Sequence, residues 1–237
     1  MSVAANLAAV RQRIDAAATA CGRAPSEITL VAVSKTQPAS AIEEAYAVGQ
    51  RHFGENYVQE LSQKADALAQ LPDLRWHVIG HLQRNKARFV APLAALVHTV
   101  DTPELAGELA KRFVAAGRAA EGRQLRVLVE VNIAAEEQKH GAAQGQVGAL
   151  LDAVEALPAL SLGGLMCVPP LTASAEGARP YFEALRALRD QHGGASRLPE
   201  LSMGMTSDLE QAVAAGATLV RVGSAIFGTR AAQARLG

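Results

Sequence analysis

The sequence has little cysteine, little lysine, no net charge and no long apolar run. Its two cysteines, Cys21 and Cys167, lie far apart in 237 residues. They make neither a disulfide framework nor a paired metal knuckle, and two buried free thiols are expected. Basic and acidic residues balance at 23 each. That removes the global electrostatic case for nucleic acid or an anionic membrane as partner. No segment approaches the ~18 apolar residues of a membrane span. The opening MSVAANLAAVRQRIDAAATACG is interrupted by Arg11, Arg13 and Asp15, so it reads as an amphipathic helix and not as a secretory signal. A cytoplasmic protein is expected. No linker, low-complexity tract or strong internal repeat divides the chain.

What is present is a folded composition, 49% hydrophobic and 19% charged. A chain of this length buries roughly 70–75% of its unfolded surface and needs no disulfide or metal to hold a core. Eight short, mostly β-branched runs alternate with Ala/Leu/Glu-rich helical stretches. They are 28–35, 52–56, 75–80, 96–101, 125–132, 160–168, 198–205 and 219–224. Strand–helix alternation implies parallel βαβ units, and eight of them in about 200 residues fit a closed barrel. The expected class is α/β, with residues 1–237 forming one (β/α)8 TIM-type barrel and an extra N-terminal helix that caps or flanks it. An open doubly wound sheet is the fallback. Against it, no GxGxxG follows the first strand.

In such barrels the chemistry sits at the C-terminal ends of the strands. Lys35 ends the first run and shares a face with Thr29, Val31 and Val33, which points it into the barrel mouth. It is one of only five lysines, against 18 arginines. Desolvation there disfavours the ammonium and favours an amine nucleophilic toward carbonyls. Arg221, set between valines in the eighth run, must meet either a carboxylate such as Glu130 or a ligand. Ser202 lies in run seven, Thr206 and the 207–210 S-x-x-E capping box follow it, and Gly223-Ser224 end run eight, next to the loops where many barrels bind phosphate. His77 and His81 lack the helix and intervening Glu of a zinc motif, so no metal is expected. His77 and Asn56 are expected to line the mouth. Met166, Met203 and Met205 read as core filling. An inward lysine, an inward arginine and an anion site suit a phosphorylated carbonyl compound. Pyridoxal phosphate is one, and a sugar-phosphate aldolase substrate is another.

The segments VAVSKTQP, FGENYVQE, WHVIGHLQRNK, LVEVNIAAEEQKHG, GLMCVPP, LSMGMTSDLEQAV and VRVGSAIFG then add a specific likeness, in order, over residues 30–230. The chain resembles the pyridoxal phosphate homeostasis protein family, similar to the N-terminal domain of alanine racemase. The resemblance implies a fold type III barrel holding pyridoxal phosphate as an aldimine on Lys35. It places Arg221 at the pyridine nitrogen, and Ser202, Thr206, Gly223 and Ser224 around the phosphate. Asn56 and His77 would line the ring, and Lys139 would be a second lysine in cofactor traffic. Thr206 stands where many relatives have serine and keeps the hydroxyl. The family is thought to carry and buffer the cofactor without established turnover, usually as a monomer, so apo-enzymes that require the cofactor are the implied partners.

A pyridoxal-phosphate-dependent amino-acid racemase is the alternative. It needs acid/base groups on both faces of the substrate carbon, and Tyr46, Tyr57 and Tyr181 all fall in apparent helices. An arginine at the ring nitrogen also weakens the electron sink.

Overall fold

The eight runs become eight strands: β1 Thr29–Val33, β2 His52–Glu55, β3 Arg75–Val78, β4 Ala94–Val100, β5 Leu125–Glu130, β6 Leu160–Met166, β7 Glu200–Ser202 and β8 Leu219–Val222. In the computed structural model, which describes residues 2–228 except 137 and 173, they pair in parallel and in sequence order. The barrel closes between β1 and β8, where Val31 lies beside Arg221 and Ala32 beside Val222. α1 Val3–Ala20 precedes β1, and further along come α2 Ala39–Ala47, α3 Val58–Ala67, α4 Ala87–Val90 and α5 Pro103–Ala115. They are followed by α6 Val147–Glu155, α7 Arg179–Gln191, α8 Gly194–Arg197, α9 Leu209–Ala214 and α10 Ser224–Phe227. Among the described residues no helix is long and apolar enough to cross a membrane.

Side-chain alternation divides the core in two. Val31, Leu96, Leu128, Met166 and Leu219 form a cluster inside the barrel. Ala32, Phe53, Val97, Leu165 and Val220 face out and pack with the apolar faces of the helices. α1 is capped by the Ser2 hydroxyl, which accepts from the Ala5 amide. It buries Leu7, Val10, Ile14 and Ala18, one per turn. It flanks the barrel, packing on α2, α9 and α10. From there it braces the β7 and β8 loops. Arg13 pairs with Glu210 at 2.7 Å and donates to the Thr206 carbonyl, while Asn6 donates to the Ile226 carbonyl.

Three local expectations change. The strands are shorter than the apolar runs, so Lys35 lies two residues beyond β1, in a turn. The Ser207–Glu210 capping box does not form. Asp208 holds the N-cap position of α9 without a side-chain cap bond, its carboxylate instead accepting from the Met205 amide at 2.6 Å, and Glu210 is taken by Arg13. Cys21 is exposed at the end of α1, and only Cys167 is buried.

Candidate functional site

A cleft of about 460 Å³ opens at the C-terminal ends of the strands. Its lining includes Val33, Lys35, Asn56, Ile79, Met205, Thr206, Arg221, Gly223 and Ser224. Two glycines let its walls approach. A Cβ at Gly80 would lie 2.5 Å from the Asn56 carbonyl oxygen, so the close approach of the β2 and β3 ends needs glycine there. At Gly223 a Cβ would crowd Val33 at 3.1–3.2 Å, so glycine also seats the end of β8 against the end of β1.

Lys35 is presented by a turn tied down on both sides. Ser34 donates its amide to the Gly54 carbonyl and its hydroxyl to Glu55 at 2.6 Å. Its carbonyl accepts from Lys64 at 2.7 Å. Thr36 takes the left-handed conformation, with φ of 65°, uncommon for a β-branched residue, and its amide donates to Glu60 at 2.7 Å. Lys64 also meets Glu55 at 2.8 Å and Glu60 at 3.0 Å. A buried ionic cluster therefore stands behind the turn and leaves Lys35 as its half-buried projection. Burial pushes the Glu55 carboxyl up, against the opposing pull of Lys64 and Ser34.

Arg221 projects inward from β8, 4% exposed. The expected alternative, an ion pair with Glu130, is not what holds it. Its guanidinium donates to the Ser202 hydroxyl at 2.6 Å and the Cys167 carbonyl at 3.0 Å, both neutral acceptors. Glu130 is buried with one carboxylate oxygen lacking a partner. Burial, helped by the negative charge of Asp101, pushes its carboxyl up to about 7. Across the cleft the Ser224 hydroxyl lies 3.2 Å from that of Thr206, which brings the β7 and β8 loops together.

Six of the eight sequence-predicted residues thus meet on one lining: Lys35, Asn56, Thr206, Arg221, Gly223 and Ser224. Ser202 and His77 lie beneath it, 0% and 3% exposed. Both are drawn into a chain of buried hydrogen bonds. His52 Nδ1 meets His77 Nε2, His77 Nδ1 meets His98 Nε2, and His98 Nδ1 meets Ser202 Oγ, each at 2.8 Å. Burial drives the His77 imidazole down to about 3, lowers His98 well below the usual range and lowers His52. Met166 and Met203 are core residues, whereas Met205 lines the cleft. Tyr57 precedes α3 and is exposed on the rim, in a side cleft shared with Asn56, His81 and Lys86. Lys139 pairs with Glu136 at 2.9 Å, away from the cleft lining. His81, Asp101 and His140 also gather on the rim, the two rings stacked face to face with centroids 3.5 Å apart.

Sequence reasoning missed Lys64, His52 and His98. The parity argument that turned Arg221 inward applies equally to His98, two residues after Leu96 in an apolar strand. Lys64, by contrast, reads in sequence as an ordinary member of a helical i,i+4 pair with Glu60.

Comparison with known proteins narrows the identity. Residues 5–231 match the family model described as alanine racemase, N-terminal domain. A pyridoxal phosphate homeostasis protein of Escherichia coli is 47% identical over 96% of this chain and 97% of its own length. One from Pseudomonas aeruginosa is 45% identical over 97% and 96%. PipY of Synechococcus elongatus, solved with PLP bound, superposes with a TM-score of 0.81 at 38% identity, covering 96% of this chain and all of PipY. With these full-length relatives and that barrel in common, the chain belongs to the alanine racemase N-terminal domain family, alongside the pyridoxal phosphate homeostasis proteins.

Proposed function

We propose that the cleft binds pyridoxal phosphate and that the chain holds it for reversible release, with no turnover of its own. The observation that carries this reading is the convergence on one lining of an amine, a fixed guanidinium and two facing hydroxyls. The residues fit the group, because the cofactor offers an aldehyde, a ring nitrogen and a phosphate to these partners. When bound, it supplies an aldehyde that amines attack reversibly and a ring that withdraws electrons. Lys35 presents the amine for the covalent link. Thr206, Ser224 and the Gly223 backbone offer donors to the phosphate, and Asn56 borders the ring. Arg221, permanently charged, keeps a proton off the facing ring nitrogen and so weakens the electron sink. Ser202 and His77 serve from beneath the lining. The relatives named for homeostasis and the PLP-bound PipY structure support the reading.

The racemase alternative needs a second proton-transfer group facing Lys35. Among the described residues of the cleft lining there is no tyrosine, histidine or carboxylate to supply it. We further propose that the chain works as a cytoplasmic monomer and hands the cofactor to apo-enzymes that need it. The site is tested by adding pyridoxal phosphate to the purified protein, recording the visible spectrum, reducing with borohydride and mapping the modified peptide. A yellow protein with the label on Lys35 is expected. A label on Lys86 or Lys139 alone would overturn the assignment.

A further inference from the structure

We propose that His98 and Ser202, backed by His77 and His52, are positioning residues for Arg221, and that their hydrogen bonds run in one direction, with all three imidazoles carrying their hydrogen on Nε2.

The setting calls for an explanation. Barrel interiors of this type are filled by branched apolar side chains. Here the apolar filling of Val31, Leu96, Leu128, Met166 and Leu219 is cut by a polar seam. The seam starts at His52, half-buried beside a floor cleft lined by Arg11, Asp15 and Arg51, and ends at Arg221 in the lining of the upper cleft. Its inner members His77, His98, Ser202 and Arg221 are all at most 4% exposed. Such a seam is tolerable only if every member is satisfied, since each unpaired buried polar atom costs its full desolvation.

Satisfaction fixes the direction. Arginine only donates, so Ser202 Oγ accepts from Arg221. Ser202 has one hydrogen to give, and its remaining contact in the structure is His98 Nδ1. If His98 donated through Nδ1, the Ser202 hydrogen would be left buried without an acceptor. The satisfied arrangement has Ser202 donating to His98 Nδ1, so His98 carries its hydrogen on Nε2 and donates to His77 Nδ1. His77 in turn donates from Nε2 to His52 Nδ1. His52 is left with its Nε2 hydrogen directed away from the seam.

Each ring therefore polarises the next, and Ser202, having given up its hydrogen, is the better acceptor for Arg221. Burial first of all keeps the seam neutral, and the charged groups around it add to that. Arg75 bears on His52 and His77, Arg126 on His77, and Arg221 on His98, each opposing an imidazolium. Glu130 and Asp208 act on Arg221 from β5 and from the start of α9. Fixing the guanidinium from below frees its remaining donors for whatever occupies the cleft.

Only the consequence for the cofactor rests on the function proposed above; the seam can be read in cofactor-free protein. Long-range proton–nitrogen correlation spectra of 15N-labelled protein at neutral pH should show Nε2 protonated and Nδ1 unprotonated at His52, His77 and His98. The Arg221 guanidinium hydrogens should be resolved and slow to exchange. Ser202→Ala should release them and mix the His98 tautomers, and Ser202→Thr should restore both. His98→Gln, which keeps a polar end, guards against misfolding of the alanine variant. It should weaken pyridoxal phosphate binding about tenfold, as expected for a displaced charged hydrogen bond. Protonated Nδ1 at His98, or Arg221 signals unchanged in Ser202→Ala, would overturn the proposal. Wild-type protein with the expected tautomers but no affinity for pyridoxal phosphate would uphold the seam and refute the cofactor reading instead.

Discussion

The turn that carries Lys35 depends on a buried lysine, and replacing it should be costly in a pH-dependent way. Lys64, 8% exposed, holds the Ser34 carbonyl, Glu55 and Glu60 at 2.7–3.0 Å. Lys64→Met keeps most of the side-chain volume and removes the charge. Glu55 is 1% exposed and already has one oxygen without a partner. Stripping one member from a buried ion pair costs about 3–5 kcal/mol, because the other charge stays behind. For a chain of this size that corresponds to a fall in Tm of roughly 6–20 °C.

Protonation offers Glu55 an escape, and this sets the pH signature. Burial already pushes its carboxyl up, and loss of Lys64 pushes it further. A carboxyl raised in the folded state keeps its proton while the unfolded chain loses one, so folding weakens as pH rises. The penalty of Lys64→Met should therefore be largest near pH 8 and shrink toward pH 5. Adding Glu55→Gln, which removes the stranded charge, should recover about half. Urea unfolding followed by circular dichroism at both pH values measures all three proteins. A loss below about 1 kcal/mol at both, with no pH dependence, would mean that water reaches the cluster and that the turn is not held this way.

Glu130→Gln should raise stability above neutral pH. Wild-type Glu130 titrates at about 7 against 4.5 unfolded, so wild-type stability should fall across that window by on the order of 3 kcal/mol and the variant's should not. Parallel denaturation curves for the two proteins would refute this. Arg221→Glu should shift the visible spectrum of the loaded protein and speed side reactions with added amino acids. An unchanged spectrum in a folded, loaded variant would confine Arg221 to a structural role. Loaded protein mixed with an apo-transaminase should restore its activity while a chiral assay for alanine detects negligible racemization. Transfer no greater than free cofactor explains, or racemization at enzyme-like rates, would sink the carrier reading. Lys35→Ala should lose the borohydride-fixed label yet retain weak binding through the Thr206 and Ser224 hydroxyls.

The barrel was legible because each strand of a parallel sheet is buried on both faces and writes itself as a compact apolar run. Strand ends were not, because the runs carry on past the last strand residues, where the Ser34 and Ile79 amides still bond to the Gly54 and Glu55 carbonyls. Lys35 and Arg221 could be turned inward by counting alternate residues. Thr206, Gly223 and Ser224 followed from where barrels place their loops. The depth of a side chain was harder to read. Ser202 and His77 were assigned to the cleft and stand a layer below it. Lys64 became a core cation only because α3 lies against the β1 turn, a packing fact that no local pattern encodes.

The depth error points to how the cleft is made. Each of its two cationic residues is fixed by neighbours that do not line it: Lys35 through the turn braced by Lys64, Glu55 and Glu60, Arg221 through Ser202 and the histidine seam. Rigid supports of this kind lower the ordering cost of binding and so raise affinity without added contacts. For a protein proposed to hold a cofactor and let it go, that separates two requirements. The supports under the cleft set how tightly the cofactor is held, while its release is left to reversible chemistry at Lys35. Variants of the supports should therefore weaken affinity while leaving the site of covalent attachment unchanged, whereas Lys35→Ala should abolish covalent attachment and keep only weak binding.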